Sequence, residues 1–139
     1  MILLDTNVVS ETMRPVPEPR VLQWLNGLDD ETVCIPAVAI AELHYGLEAM
    51  PDGRRKEDLR HAIDRLANDL YRGFIIAFDE EAARLYGRLM AQRDRAGRPI
   101  GIIDCQIAAI ALANNAQLAT RDSDLADCGI EIINPWAAT

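Results

Sequence analysis

The chain has 139 residues, half of them hydrophobic, which favours one domain spanning residues 1–139 with a sizeable core and argues against disorder. No apolar run approaches the ~20 residues of a membrane span, and the N-terminus has no basic region or cleavable apolar segment, so we expect a cytoplasmic protein without a membrane partner. The net charge of −8 argues against nucleic-acid binding through a broad basic surface, but not against an enzyme that holds cations in an acidic pocket.

Short apolar runs predict the strands. The first run opens the chain, contains no polar residue, and ends at Asp5-Thr6-Asn7, as is typical of a strand buried on both faces of a parallel sheet. Further short apolar runs predict four more strands, at residues 32–35, 74–78, 117–120 and 131–133.

Helical patterns lie between these runs. The predicted helices cover residues 8–13, 21–25, 37–50, 54–71, a segment capped by Asp79 and closed by Gly97, and 101–113. The last of these is almost free of charge and is therefore a central, buried helix. The alternation of strands and helices predicts an α/β fold, with a central, mostly parallel five-stranded sheet flanked by helices.

Cys34, Cys105 and Cys128 are an odd number of cysteines with no C-x-x-C spacing. We therefore expect small buried side chains in a reducing compartment, and neither a disulfide framework nor a zinc site.

Four acids recur at similar places in this pattern. Asp5 ends the first strand, Asp122 directly follows the fourth, and the other two lie early in helices that follow strands or loops, at Glu42 and Asp104. Because the strands of a parallel sheet all end at one edge, these acids can converge although they are far apart in sequence. Clustered carboxylates repel one another unless cations neutralise them, and oxygen ligands without His or Cys select Mg²⁺ or Mn²⁺.

Each acid also has a purely structural explanation. Asp5 and Asp122 suit helix N-caps, and Asp104 gains ~0.3–1 kcal/mol from a helix dipole. Glu42 can point to solvent, and Asp124 competes with Asp122 as the fourth acid. Since four independent coincidences are less probable than one shared site, we favour a metal site.

Several motifs occur together in a fixed order. They are the opening Leu-Leu-Asp-Thr-Asn, Ala41-Glu42-Leu43 with Tyr45-Gly46, Pro51-Asp52-Gly53-Arg54-Arg55, Ala96-Gly97-Arg98-Pro99, Asp104 with Gln106-Ile107-Ala108, Leu118-Ala119-Thr120-Arg121, and Asn134-Pro135-Trp136. With this set, essentially the whole sequence resembles the PIN-domain ribonucleases of the VapC-like, plasmid-stability toxin group. The resemblance implies a PIN-like domain over residues 1–139.

The resemblance also implies the site. The family's catalytic and metal-binding carboxylates map onto Asp5, Glu42, Asp104 and Asp122. Many relatives have Asn at the position of Asp122 and a later Asp-Phe, for which Asp124-Leu125 is the nearest match here, so the fourth acid is left open between the two. Thr6 and Thr120 are expected to orient a carboxylate or a metal-bound water through hydrogen bonds.

The function implied by the family is an endoribonuclease that acts as the toxin of a toxin–antitoxin pair. One or two Mg²⁺ ions, or Mn²⁺, would activate water and leave a 5′-phosphate and a 3′-hydroxyl. The expected partners are an RNA substrate such as tRNA, a small antitoxin with a basic C-terminal segment, and a second copy in a homodimer. Arg121, or the run Arg54-Arg55-Lys56, is a candidate contact to the RNA backbone.

Two alternatives remain at the level of sequence. One is a catalytically silent PIN-fold binding module that a partner regulates. The other is a phosphatase with Asp5 as its nucleophile, a class that generally needs a second Asp two residues later, where this chain has Asn7.

Overall fold

A five-stranded sheet lies at the centre of the computed structural model, which describes residues 1–70 and 74–137. Its strands run parallel throughout, in the spatial order β3-β2-β1-β4-β5. They are β1 (Ile2–Leu4), β2 (Val33–Pro36), β3 (Ile75–Ile76), β4 (Gln117–Ala119) and β5 (Ile132–Ile133). The predicted α/β architecture with a central five-stranded sheet is confirmed.

Helices cover both faces of this sheet. They are α1 (Thr6–Thr12), α2 (Pro19–Asn26), α3 (Ala37–Glu48), α4 (Arg54–Arg65), α5 (Glu80–Arg95) and α6 (Ile102–Ala113). A π-helical turn (Leu66–Leu70) continues α4, and 3-10 turns occur at Asp30–Thr32 and Ser123–Cys128. Across residues 1–70 and 74–137, none of the helices has the length and apolarity that spanning a bilayer requires.

The sheet separates two apolar clusters, because successive side chains of a strand point to opposite faces. On β1, Leu3 belongs to the cluster beneath α5 and α6, whereas Ile2 and Leu4 belong to the cluster beneath α1 and α2. Leu118 and Ala119 on β4 divide in the same way. Burial on both faces is the reason that these strands appear in the sequence as uninterrupted apolar runs.

The observed element ends differ in part from the predicted ones. Helix α1 starts at Thr6, two residues early, because the Asp5 side chain caps it. Pro36, predicted in the first turn of a helix, is the extended last residue of β2 and the N-cap of α3, a backbone that its fixed φ permits. The predicted end of the fourth helix, at Tyr71 to Gly73, lies outside the described residues. Ser123, predicted in a loop, begins a 3-10 turn.

Helix α6 is the central helix that the sequence predicted. Cys105 and the run from Ile107 to Ala111 are fully buried, and the helix packs along α5 and over the sheet. A helix that is buried along the middle of its length has a fixed position, so Asp104 in its first turn is held firmly at the edge of the sheet.

The three cysteines are free and buried, as predicted. Burial raises the pKa of the Cys34 and Cys105 thiols to about 11. Both side chains therefore remain neutral thiols at physiological pH and act as small apolar residues.

The core residue Leu118 provides a test of this packing. It is fully buried on β4, opposite Leu3 in the register of the neighbouring strand. We expect Leu118→Ala to lower the free energy of unfolding by about 2–5 kcal/mol, because it removes apolar contacts and leaves a cavity. Urea denaturation measures this loss. Val16→Ala is the control, since Val16 is 82% exposed, and it should change stability by less than about 0.5 kcal/mol.

Candidate active site

The sheet reverses its winding direction between β1 and β4. From β1 the chain builds β2 and β3 on one side, and it then returns to place β4 and β5 on the other side. In open α/β sheets, ligands bind in the crevice at the carboxyl ends of the two strands that flank such a reversal. Asp5 follows β1 and Thr120 follows β4, so both lie at this point.

The carboxylate of Asp5 is buried and well supplied with hydrogen-bond donors. Its Oδ1 accepts a bond of 2.7 Å from the Thr6 backbone N–H. Its Oδ2 accepts bonds from Thr120 Oγ1 at 2.7 Å and from Asn7 Nδ2 at 3.3 Å. Asp5 is therefore the N-cap of α1 and also part of the site, so the two explanations of its position hold together.

Thr120 connects the ends of β1 and β4. Besides donating to Asp5, its hydroxyl oxygen accepts hydrogen bonds of 3.0 Å from Asn7 Nδ2 and from the Asp122 backbone N–H. Thr120 is fully buried. A single hydroxyl thus fixes the Asp5 carboxylate and the start of the loop that carries Asp122.

Glu42 and Asp104 come from helices on the same edge. Glu42 lies midway along α3, and its Oε1 accepts a hydrogen bond of 2.5 Å from Thr6 Oγ1. Together these side chains line a cleft of about 570 Å³, the acidic cleft, with walls formed by Asp5, Thr6, Asn7, Ser10, Glu11, Arg14, Glu42, Asp104, Arg121 and Asp122. The structure therefore brings Asp5, Glu42, Asp104 and Asp122 to one cleft.

Asp122 and Asp124, left open as the fourth acid, have different surroundings. Asp122 lines the acidic cleft and caps the 3-10 turn by accepting the Asp124 backbone N–H at 2.9 Å. The Asp124 carboxylate instead forms an ion pair of 3.2 Å with Arg93 and a longer one of 3.9 Å with Arg98. Asp122 is thus the acid placed with the other three.

The buried Arg93 is a residue that the sequence interpretation missed. It is 4% exposed, and its guanidinium donates to the carbonyl oxygens of Arg98 at 2.6 Å and Asp124 at 2.9 Å. Arg93 thereby fastens the turn after Asp122 to helix α5. It follows Leu89 by four residues, so its place on the buried stripe of α5 was the available signal.

Part of the cleft wall along α1 was also missed. Ser10 and Glu11 on α1, and Arg14 just beyond its end, line the cleft at the three- and four-residue spacing that continues one helical face. Recognising that face required knowing that α1 starts at Thr6.

Burial and mutual repulsion raise the proton affinity of the carboxylates. Burial raises the pKa of Asp5, hydrogen bonds from Thr120 and Thr6 lower it, and the charges of Glu42 and Asp122 raise it further. Burial, followed by the charges of Asp5 and Asp122, raises the pKa of Asp104 to about 6. The site is therefore an anionic pocket that favours positive charge.

The chemistry of these ligands is that of hard oxygen donors. Carboxylate, hydroxyl and amide groups line the cleft without His or Cys, a set that suits Mg²⁺ or Mn²⁺ rather than zinc. In the described part of the chain, no three His, Cys, Asp or Glu side chains lie close enough together to hold a metal ion between them, so the acids form an open set.

The structure places the protein in the class of all-parallel α/β domains with an acidic cleft where the sheet reverses its winding direction. Comparison with known proteins identifies the family within that class. Residues 2–130 match the PIN domain family. VapC ribonuclease Y4jK of Sinorhizobium fredii is 41% identical over 98% of both chains, and Toxin FitB of Neisseria gonorrhoeae is 36% identical over 98% of this chain and 99% of its own. The FitAB complex bound to the IR36 DNA fragment superposes with a TM-score of 0.92 at 35% identity, covering 100% of this chain and 98% of that one. The chain belongs to the PIN-domain family.

The burial and mutual repulsion of the cleft carboxylates are expected to lower the stability of the protein at neutral pH. Burial and the neighbouring charges raise the pKa of folded Asp104 to about 6, from 3.8 for an unperturbed aspartate, so its contribution to stability is lost as the pH rises across this interval. With chelator present, we expect Asp104→Asn to have a Tm roughly 2–5 °C above the wild type at neutral pH. This difference should shrink as the pH falls and wild-type Asp104 becomes neutral.

Thermal unfolding followed by circular dichroism across this pH range tests that expectation. Asp64→Asn is the control, since Asp64 is an exposed acid of α4 that does not line the cleft. A gain in Tm that is equal for the two variants, or that does not depend on pH, would contradict the assigned repulsion.

Proposed function

We propose that this protein is a metal-dependent endoribonuclease that acts as the toxin of a toxin–antitoxin pair. The observation that carries the proposal is the convergence of Asp5, Glu42, Asp104 and Asp122 on one cleft of a PIN domain. The relatives named as a VapC ribonuclease and as Toxin FitB support the same activity and role. The substrate class is RNA, and tRNA is the expectation that comes with the family.

The residues of the cleft fit Mg²⁺ or Mn²⁺. Mg²⁺ keeps several waters and needs only one or two protein carboxylates, so an open set of acids suits it better than a closed cage would. Asn7 Oδ1 is buried beside Asp5 with no hydrogen-bond partner among the described residues, and it would serve as a further oxygen acceptor beside a hydrated cation. When bound, the ion would polarise the scissile phosphate and lower the pKa of the attacking water.

The protein's own contribution is to hold the carboxylates in position. Thr120 orients Asp5, and Thr6 orients Glu42, each through one hydroxyl hydrogen bond. Asp104 and Asp122 complete the pocket from α6 and from the loop after β4. Because Asp5 sits at the end of a strand, Glu42 and Asp104 lie on packed helices, and Asp122 caps a 3-10 turn, the geometry of the site is largely fixed before substrate binds.

An aspartyl-nucleophile phosphatase fits the cleft less well. That chemistry generally needs a second acid at the position of Asn7. Here the Asn7 amide instead donates to Asp5 Oδ2 and to Thr120 Oγ1. Asn7 therefore supports the Asp5 carboxylate rather than acting as a proton donor.

Replacing single acids tests the nuclease assignment. We expect Asp5→Asn and Asp104→Asn each to lower the rate of RNA cleavage with Mn²⁺ by more than about 100-fold and to relieve growth arrest on expression. Thr120→Val should cost roughly 10–100-fold, because it removes only a group that orients a ligand. Rates of cleavage of total RNA, together with colony counts, measure this order.

Asp64→Asn is the matched control and should retain both cleavage and toxicity, since Asp64 lies outside the cleft. If the Asp5 and Asp104 variants fold normally and remain toxic, the assignment of the site is wrong. If the wild-type protein cleaves no RNA, the catalytically silent binding module replaces the nuclease.

A second pocket supports the proposed antitoxin partner. A groove of about 620 Å³, the apolar groove, adjoins the acidic cleft and shares Thr6, Ser10, Arg14 and Glu42 with it; its other walls are Met13, Pro15, Leu43, Gly46, Met50, Arg55, Asp58, Leu59 and Ala62. A partner segment with apolar side chains followed by basic ones would fill the groove and then pair with the acids. The proposed antitoxin, with a basic C-terminal segment, has this chemistry.

Gly46 gives a specific test of this contact. A Cβ added at Gly46 meets no atom within 4 Å, and Gly46 lines the groove, so a side chain at this position would start from open space on the groove wall. We expect Gly46→Arg to abolish co-purification with the co-expressed antitoxin by occupying the space that the partner's apolar side chains would fill, while RNA cleavage remains. Gly46→Ala should retain the complex and stabilise α3 by up to about 1 kcal/mol. Stoichiometric recovery of antitoxin with Gly46→Arg would exclude this groove.

The proposal includes a homodimer. Tyr45 on α3 is 79% exposed and Ile102 at the start of α6 is 64% exposed, and large apolar side chains of this kind are commonly covered by a partner subunit. Sedimentation velocity of the purified protein measures the oligomeric state directly.

A further inference from the structure

Two arginines line the acidic cleft, and their surroundings differ. Within the described residues, Arg14 and Arg121 are the basic side chains of its wall. A polyanion that approaches a chain of net charge −8 needs local positive charge beside the carboxylates. The ion pairs formed by these two arginines show which guanidinium is not already paired with a carboxylate.

The guanidinium of Arg14 is already paired with a carboxylate. Its Nη1 lies 3.2 Å from both carboxylate oxygens of Glu11. Glu11 is only 3% exposed and also accepts the Glu18 backbone N–H at 3.1 Å, so it is fixed in place. The charge of Arg14 is therefore largely neutralised within the protein, and its main effect is to close the wall of the cleft.

Arg121 is held in another way. Its guanidinium carbon lies 4.7 Å from the centroid of the Trp136 ring, and across residues 1–70 and 74–137 it forms no ion pair with a carboxylate. Stacking on an aromatic face restrains a guanidinium but leaves the N–H groups at its edge free to donate. Arg121 thus combines a restrained position with an available charge.

Trp136 is itself a fixed support. Its carbonyl oxygen accepts a hydrogen bond of 3.3 Å from Arg20 Nη1, and its backbone N–H donates to Asn134 Oδ1 at 3.0 Å. The indole packs against the apolar cluster beneath α1 and α2. The C-terminal turn is therefore tied to α2 and holds Arg121 beside the cleft.

The backbone places Arg121 between two residues of the site. It directly follows Thr120, whose hydroxyl holds Asp5, and directly precedes Asp122. A phosphodiester whose scissile group lies at the carboxylates would continue along the same cleft, whose wall includes Arg121. The guanidinium edge can hold a phosphate in a bidentate manner.

The alternative basic residues are worse placed. Lys56 is buried and lies 3.2 Å from Asp52 and 4.0 Å from Glu48, so its charge is compensated. Arg55 lines the apolar groove rather than the acidic cleft, and Arg54 lines neither.

We propose that Arg121, supported on the face of Trp136, binds the RNA phosphate that neighbours the scissile one. In this arrangement Arg121 is a substrate-binding residue and Trp136 is a positioning residue. The inference rests on the proposed nuclease function and specifies how its substrate is held.

Binding of RNA at several salt concentrations tests the inference. The probe is a short, fluorescein-labelled single-stranded RNA of random sequence, and fluorescence anisotropy gives its Kd in an Asp104→Asn background that prevents cleavage. We expect Arg121→Gln to weaken binding by roughly 10–100-fold, as for the loss of a hydrogen bond to a charged group. The slope of log Kd against log salt should fall by about 0.7, the value for one contact to a single-stranded phosphate.

Two variants at Trp136 separate the effect of the position of Arg121 from the effect of its charge. Trp136→Leu keeps the Arg121 charge but removes its support, so binding should weaken by a smaller factor with the salt slope unchanged, and Trp136→Phe should restore most of the loss. Arg54→Gln is the matched control, because it removes an exposed arginine outside the cleft, and it should leave Kd and slope as they were.

The outcomes distinguish this inference from the function on which it depends. If wild-type protein cleaves RNA but Arg121→Gln binds it with unchanged Kd and salt slope, the proposed phosphate contact is wrong and the proposed nuclease function is unaffected. If Arg54→Gln instead carries the loss, RNA binds along α4. If the wild-type protein cleaves no RNA, both the proposed function and the inference about Arg121 are wrong.

Discussion

The hydrogen bond from Thr120 to the buried carboxylate of Asp5 is the interaction on which the site depends. Removing a carboxylate from water costs several kcal/mol unless donors replace the lost hydration. Thr120, Asn7 and the Thr6 backbone supply those donors. Thr120 reaches Asp5 only because β1 and β4 are adjacent and parallel, with Leu4 opposite Ala119 in the register. The order of the strands, rather than any local motif, therefore makes the burial of Asp5 tolerable.

The same edge separates two acids that are only two residues apart. Arg93 takes the Asp124 carboxylate into an ion pair and fastens the neighbouring turn through its carbonyl, whereas Asp122 is left to line the cleft. A buried arginine is costly unless it is paired, and Asp124 provides that pairing for Arg93. The placement of Asp122 follows from this pair, because the backbone that carries it can no longer shift freely. Arg93, on helix α5, thus determines which of these two acids lines the cleft.

Much of this arrangement could be predicted from the sequence. The contacts that could not be predicted join segments that lie far apart along the chain. Uninterrupted apolar runs predicted the parallel sheet, and parallel strands predicted that Asp5 and Asp122 would meet at one edge. The choice between Asp122 and Asp124 depended on Arg93, which lies about thirty positions away along the chain and gives no short-range signal. The stacking of Arg121 on Trp136 likewise depends on how the C-terminal turn packs against α2. Contacts between distant segments are set by tertiary packing, which periodicity and caps do not encode.

The acidity of the cleft connects the proposed substrate with the proposed partner. Without bound cations, burial and the neighbouring carboxylates raise the pKa of Asp104, and the crowded acids attract basic side chains such as those of the proposed antitoxin segment. With divalent cations bound, the same pocket would accept phosphate, and Arg121 would extend that positive region by one contact. Under the proposed function, RNA and antitoxin would therefore favour opposite charge states of one cleft, and occupation by either would oppose the other through linkage. A chain with a net charge of −8 would in this way act on a polyanion while confining its attraction for RNA to a few atoms.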